Sequence, residues 1–280
     1  MVIDKILNNN VVLSKNEIGE EIILMGRGLA FKKKIGDPID SAFIQKEFVL
    51  KDSFTGRQMQ QLFSDIPSEE IDAVKKIVDM IEKALQVELS TNIYITMTDH
   101  IHYAIMRTKE GIEMPNPLLL ETQKFYPQEF AAAEQALTLV AEELGVQLPK
   151  SEAGFITFHI VNSRQGNDNM ETTMQTTEIV RDILTLISRY FGQTLDTQSL
   201  NYHRIVTHLH YFAQRYLKHQ LAEDKDEFLF ALVQAKYPKS FQTVLRINEY
   251  LLQTYDQPIG ESEMIYLTIH IDRVVSEKKI

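Results

Sequence analysis

Asp99-His100-Ile101-His102-Tyr103 returns 108 residues later as Thr207-His208-Leu209-His210-Tyr211, and that return decides the fold. Two further anchors follow in the same order at an offset of 111. Tyr126-Pro127 with Phe130 recurs as Tyr237-Pro238 with Phe241. Glu152 followed by Phe155-Ile156-Thr157-Phe158-His159-Ile160 recurs as Glu263 followed by Tyr266-Leu267-Thr268-Ile269-His270-Ile271. Three anchors in one order, with a single three-residue difference, mark a duplicated domain of about 100–110 residues, an ordinary domain size. Each copy carries histidines at two matched places.

The repeat accounts for the chain from about residue 66 onward and leaves a separate head in front. With 44% hydrophobic and 24% charged residues the composition is globular, and 280 residues suffice for more than one core. There is no Cys, which excludes disulfides and cysteine nucleophiles and favours a cytoplasmic setting. No apolar run nears the roughly 18 residues of a membrane span, and the first residues lack a signal pattern. The net charge of −10 is uneven. Residues 1–55 hold eight bases and eight acids, leaving 21 bases against 31 acids downstream. An acidic body repels nucleic acid, whereas Met25 to Gly36 is free of acids and holds Arg27, Lys32, Lys33 and Lys34.

Short β-type runs dominate the head: Val2–Leu7, Val11–Leu13, Glu21–Met25, Leu29–Lys32 and Phe43–Leu50, separated by turn chemistry. Asn8-Asn9-Asn10 suits a tight hairpin, since Asn tolerates left-handed backbone angles. The triplet reads simply as that turn, and Gly26-Arg27-Gly28 alone reads as a basic loop. In company, the four cations, the Asn amides and the Phe31 ring form the mixture that reads an RNA minor groove. So small a sheet buries little alone, so dimerisation would help it fold.

Lys51 to Gln60 reads as a joint. From Ser68 the pattern turns helical, with Ile71, Val74, Ile77, Val78, Ile81 and Leu85 at spacings of three and four. A further helix is expected from Pro127 to Leu144, with Gly145 just past its end. The second repeat offers matching stripes over Thr176–Phe191, Leu200–Leu217, Phe228–Lys236 and Pro238–Tyr255. A second joint is expected in the polar stretch Asn162–Met174. Phe155 to Val161 is rich in β-branched and aromatic residues and scores as a strand by propensity.

The histidines admit three readings. One is a polar residue satisfied in a helix interface. A second is a metal site, but residues two apart on a helix, such as His100 and His102, do not share a face, and no HExxH or acidic cluster accompanies them. The third is a phosphoacceptor: a neutral imidazole with a reference pKa of about 6.5 is a competent nucleophile at cell pH. Phosphate would bring about two negative charges to an interface. A doubled site suits a switch better than a catalyst.

Met1 to Phe54, with Lys5-Ile6-Leu7-Asn8-Asn9-Asn10-Val11 and Met25-Gly26-Arg27-Gly28-Leu29-Ala30-Phe31, resembles the RNA-binding head of the BglG/LicT family of bacterial transcriptional antiterminators. The duplication resembles that family's two phosphotransferase-regulated domains. The resemblance implies a multidomain protein: a small antiparallel β-sheet RNA-binding domain, dimeric, followed by two homologous all-α helical bundle domains. It places the RNA-binding domain at 1–55, a linker at 56–66 and the regulatory domains at 67–170 and 171–280, and it implies a buried helix at Phe155–Val161. RNA contacts fall by position on Lys5, Asn8, Asn10, Gly26, Arg27 and Phe31. The regulatory phosphorylation sites fall on His100, His159, His208 and His270, leaving His102, His203, His210 and His219 structural or at the surface.

The resemblance further implies a leader-mRNA hairpin as target, a homodimer, and phosphate from HPr and a sugar-specific enzyme II. No catalytic residue, metal or cofactor belongs to this expectation. Arg204, four residues before His208, and Arg273, three after His270, share the histidines' helical faces. Their counterparts in the first repeat are Thr96 and Asn162. The second repeat is therefore expected to accommodate phosphate by arginine pairing, and the first to respond by repulsion. The rival readings are a histidine phosphocarrier, which leaves the head without a purpose, and a DNA-binding activator, which needs helical periodicity that residues 1–55 lack.

Overall fold

The computed structural model describes residues 1–49, 60–165, 170–221 and 226–276. The chain divides into two units, Met1–Asp168 and Asn169–Ile280.

The first unit opens with a four-stranded antiparallel sheet in the order β1 (Lys5–Asn8), β2 (Val11–Lys15), β3 (Glu21–Met25) and β4 (Lys46–Val49). Two-residue alternation sorts its apolar side chains onto two faces. Ile3, Val12, Ile22 and Leu24 pack with Leu29 and Ala30 of the β3–β4 connection on one face. Leu7, Val11, Leu13, Ile23, Met25 and Phe48 belong to a core cluster that continues into the helices. Phe48 is the bridge: its ring lies 6.5 Å from Phe63 and 5.6 Å, edge-on, from Tyr94.

Leu29–Lys32, expected as a strand, is a run of turns. Leu29 N–H donates to Gly26 O, Phe31 N–H to Gly28 O, and Lys32 adopts φ 60°. Two tight turns next to a glycine pair outweigh the β-propensity of Leu29 and Phe31, whose neighbour Ala30 docks by its N–H on Asn9 O. The last expected strand is shorter, because Ser41–Phe43 forms a 3₁₀ turn capped by Asp40.

The joint expected at Lys51–Gln60 lies, but for Gln60, outside the described residues. Residues 60–65 are helical and form α1. Then come α2 (Ser68–Leu85), α3 (Ile93–Lys109), α4 (Leu119–Phe125), α5 (Pro127–Leu144) and α6 (Ser151–Gln165). α2 buries the stripe Ile71, Val74, Ile77, Val78 and Ile81 and ends at left-handed Gln86. α5 has Pro127 in its first turn and Gly145 at φ 68° as its C-cap. α6 contains Phe155–Val161, where burial on nearly every side overrides strand propensity, and Thr157 returns its hydroxyl to Ala153 O. Of the polar stretch Asn162–Met174, residues 162–165 and 170–174 belong to helices, so a joint there is confined to 166–169, outside the described residues.

The second unit holds α7 (Met170–Phe191), α8 (Leu200–Leu217), α9 (Glu227–Lys236), α10 (Pro238–Tyr255) and α11 (Glu261–Val275). Its packing repeats the first unit pair for pair. α2–α5, α5–α6, α2–α3, α3–α6, α4–α6 and α4–α5 correspond to α7–α10, α10–α11, α7–α8, α8–α11, α9–α11 and α9–α10. The sequence duplication is thus a duplication of helix contacts.

Candidate RNA interface and paired histidine sites

The β1–β2 turn and the β3–β4 connection bring Asn8, Asn10, Gly26 and Arg27 together. Asn8 Oδ1 accepts from Asn10 N–H at 2.8 Å, Asn10 Oδ1 accepts from Gly28 N–H at 2.7 Å, and Gly26 N–H donates to Asn10 O at 2.8 Å. Glycine is required at 26, since a Cβ there would sit 1.8 Å from Phe43 O. Lys5, Arg27 and Phe31 are exposed, with Lys32 Nζ 5.3 Å from the Phe31 ring centre. Of the other cations, Lys33 Nζ is turned back onto Pro38 O.

The two asparagine amides also face the helices. Asn8 Nδ2 donates to Phe63 O at 2.7 Å, and Asn10 Nδ2 donates to Asp72 Oδ2 at 2.8 Å. Asp72 stands in a cleft of about 370 Å³ with Arg27, Glu69, Lys76 and Glu143. Burial raises its carboxyl pKa against the opposing charges of Arg27 and Lys76 and the Asn10 hydrogen bond.

In the first unit α3 carries His100 and α6 carries His159, their ring centres 5.0 Å apart. Phe155 flanks His100 at 5.9 Å. Glu152, 2% exposed, sits between Arg107 and His100. Its Oε1 accepts from Arg107 Nη2 at 3.1 Å, and its Oε2 lies 3.0 Å from His100 Nε2. Those last two atoms are buried. Burial pushes the Glu152 carboxyl up, but His100 and Arg107 outweigh it and hold it below its usual range. His159 is driven down to about 3, first by burial and then by His100.

In the second unit α8 carries His208 and α11 carries His270, ring centres 4.1 Å apart. The Tyr266 hydroxyl is hydrogen-bonded to His208 Nδ1, and its ring lies 4.4 Å from that of His270. Arg215 Nη2 donates to Glu263 Oε1 at 2.8 Å. Burial and then Arg204 lower the His208 pKa. Burial, His208 and Arg273 lower that of His270 to about 4.

The structure therefore pairs His100 with His159 and His208 with His270, within one unit each. The other histidines lie apart: His102 Nδ1 is 2.7 Å from Glu70 Oε2, and His210 Nδ1 lies 2.9 Å from Val206 O. His203 and His219 are exposed. His100 and His102 face different carboxylates, in keeping with their unshared helical faces.

Sequence reasoning passed over Arg107 and Arg215 with their partners Glu152 and Glu263. The signal was present: each arginine follows its histidine by seven residues, two helical turns on the same face. The first site thus holds an arginine of its own, tied to Glu152, while Arg204 and Arg273 add two cations around the second.

A cationic turn cluster on a small sheet, joined to duplicated bundles that each bury a histidine pair, defines a regulator built from a binding head and two sensing modules. The CAT RNA binding domain family matches residues 1–56, and the PRD domain family matches 75–163 and 181–274. Transcription antiterminator LicT of Bacillus subtilis (strain 168) is 39% identical over 99% of this chain and 100% of its own length. The beta-glucoside operon antiterminator of Dickeya chrysanthemi is 37% identical over 99% and 98%. The crystal structure of GlcT CAT-PRDI is 34% identical, covers 58% of this chain and 97% of that one, and superposes with a TM-score of 0.53. The chain belongs to the BglG/LicT family of transcription antiterminators, with a CAT RNA-binding domain followed by two PRD domains. It is a regulator of transcription, not an enzyme. Among the described residues no helix is long and apolar enough to cross a membrane.

Proposed function

We propose that this antiterminator acts as a homodimer whose heads, residues 1–55, clamp a leader-mRNA hairpin that excludes the overlapping terminator stem. Residues 56–66 link each head to the first regulatory domain, 67–170, followed by the second, 171–280. Lys5 and Arg27 supply phosphate contacts, Asn8 and Asn10 polar readout, and Phe31 a stacking face. Gly26 acts by letting the backbone close on Phe43. The observation that carries the reading is the convergence of Asn8, Asn10 and Arg27 on one turn cluster within a domain matched to an RNA-binding family.

His100 and His159 take phosphate from a sugar-specific enzyme II and so silence the protein. His208 and His270 take it from HPr and favour the active dimer. A β-glucoside operon is the target class this reading adopts, in line with the relative of that name. The setting is the cytoplasm, where leader RNA and both donors meet.

Binding of the full chain to a terminator-overlapping hairpin from its own operon, beside a scrambled duplex, tests this. Selective binding that falls steeply with salt and is lost in Arg27→Ala is the expected result. Equal binding to both RNAs, or none by a folded chain, would overturn it.

A further inference from the structure

The two histidine sites are built alike but expose different atoms. In the first, His100 Nε2 is buried and lies 3.0 Å from the Glu152 carboxylate. A phosphoryl group cannot reach that nitrogen without displacing Glu152. In the second, the contacts are rearranged by one substitution between the repeats. Phe155, which only packs against His100, is matched by Tyr266, whose hydroxyl meets His208 Nδ1. Glu263, the counterpart of Glu152, keeps the arginine contact, to Arg215, but no ion pair with His208 is present among the described residues. Nε2 of His208 has no hydrogen-bond partner among the described residues, nor is it among the buried unpartnered atoms, so solvent reaches it.

We infer that Tyr266 is a positioning residue that makes His208 the phosphoacceptor of the second regulatory domain, with Nε2 as the attacking atom. This rests on the reading that this domain is phosphorylated. A neutral imidazole has one N–H and one lone pair, and the hydrogen bond made by one nitrogen fixes the role of the other. The hydrogen bond between the Tyr266 hydroxyl and His208 Nδ1 admits either direction. In the proposed one Nδ1–H donates to the Tyr266 oxygen, which leaves the lone pair on Nε2. Burial raises the pKa of the phenol, so it remains uncharged, with oxygen lone pairs able to accept from Nδ1–H.

The lone pair attacks the phosphorus of the donor. The Nε2–P bond forms, the bond from phosphorus to the donor's leaving atom breaks, and the electron pair departs with the donor. The imidazolium so produced keeps its proton on Nδ1, held by the Tyr266 oxygen. No proton need be found or moved, and the cations Arg204 and Arg273 stand beside the incoming phosphoryl charge.

The test compares the full-length wild type with Tyr266→Phe, which keeps the ring and makes the site resemble the first. Phosphoramidate serves as donor, with ammonia as its leaving group. Nitrogen-15 shifts of His208 before labelling report the tautomer, and phosphorus and nitrogen shifts afterwards report the phosphohistidine isomer. Wild type should show the Nδ1–H form and then phosphate on Nε2. Tyr266→Phe should revert to the Nε2–H form favoured by free imidazole, label at least several-fold more slowly and give mixed isomers. Wild-type tautomer, rate and isomer in Tyr266→Phe would overturn the assignment, as would phosphate on His208 Nδ1 in wild type. A wild-type His208 in the Nδ1–H form that takes no phosphate, while His270 does, would overturn the choice of acceptor but leave phosphorylation of the domain standing. No phosphate on either histidine would remove that reading as well.

Discussion

The side-chain amide of Asn10 donates to the carboxylate of Asp72 across 62 residues of sequence, at 2.8 Å. Its own oxygen is taken by Gly28 N–H, and Asn10 is only 7% exposed. An amide proposed to read RNA is therefore already engaged, by an anion on a regulatory helix.

RNA that uses Asn10 must displace Asp72, and a hydrogen bond to a charged group contributes about 1.5–3 kcal/mol. Asp72→Ala should raise the full chain's affinity for its hairpin about ten-fold or more. Asn10→Ala should lower it, and the double variant should match Asn10→Ala alone. Fluorescence titration with labelled RNA measures all three. An Asp72→Ala affinity equal to wild type would separate Asn10 from RNA readout.

Gly26→Ala should fail structurally. The added methyl would overlap Phe43 O, and overpacking of this kind costs about 1–3 kcal/mol or more. The expected result is a lower thermal midpoint together with weaker RNA binding. Lost affinity with an unchanged midpoint would assign Gly26 to direct contact instead.

Removing Arg215 leaves the Glu263 carboxylate, 5% exposed, without its cation. Breaking a fully buried pair costs about 3–5 kcal/mol, and the partial exposure of Arg215 brings the expectation for Arg215→Met to about 2–3. Glu263→Leu added to it should restore most of the loss. Urea unfolding followed by circular dichroism supplies the numbers.

His159 holds its folded pKa near 3, against about 6.5 in an unfolded chain. Between those values the unfolded state binds the extra proton, so stability present at neutral pH is lost as pH falls. The limiting slope for one proton is about 1.4 kcal/mol per pH unit. His208 and His270, whose pKa values are also lowered, add losses of the same sign, so the His159 share is the difference between wild type and His159→Gln in urea midpoints at pH 7, 6 and 5. They should decline in wild type and decline less in His159→Gln.

Helices were legible wherever an amphipathic stripe met a stop signal: Pro127 to Leu144 before Gly145 is readable residue by residue. Leu29–Lys32 was not, because its turns depend on a Gly26–Phe43 approach that no local pattern announces. The duplication marked matched histidines, and the family resemblance picked His100 with His159 and His208 with His270 from among them. What joins them, Glu152 with Arg107 and Tyr266 with His208, spans 45 and 58 residues and needed the folded chain. The contact between Asn10 and Asp72 is of the same kind, since nothing local to the Asn triplet or to α2 announces a partner 62 residues away.

Phe48 and Phe63 make one interior out of a sheet and a bundle. A sheet in that position should share its melting transition with the bundle, so the RNA-reading turns and the first regulatory domain are expected to lose structure together and a change at α2 to reach the strands.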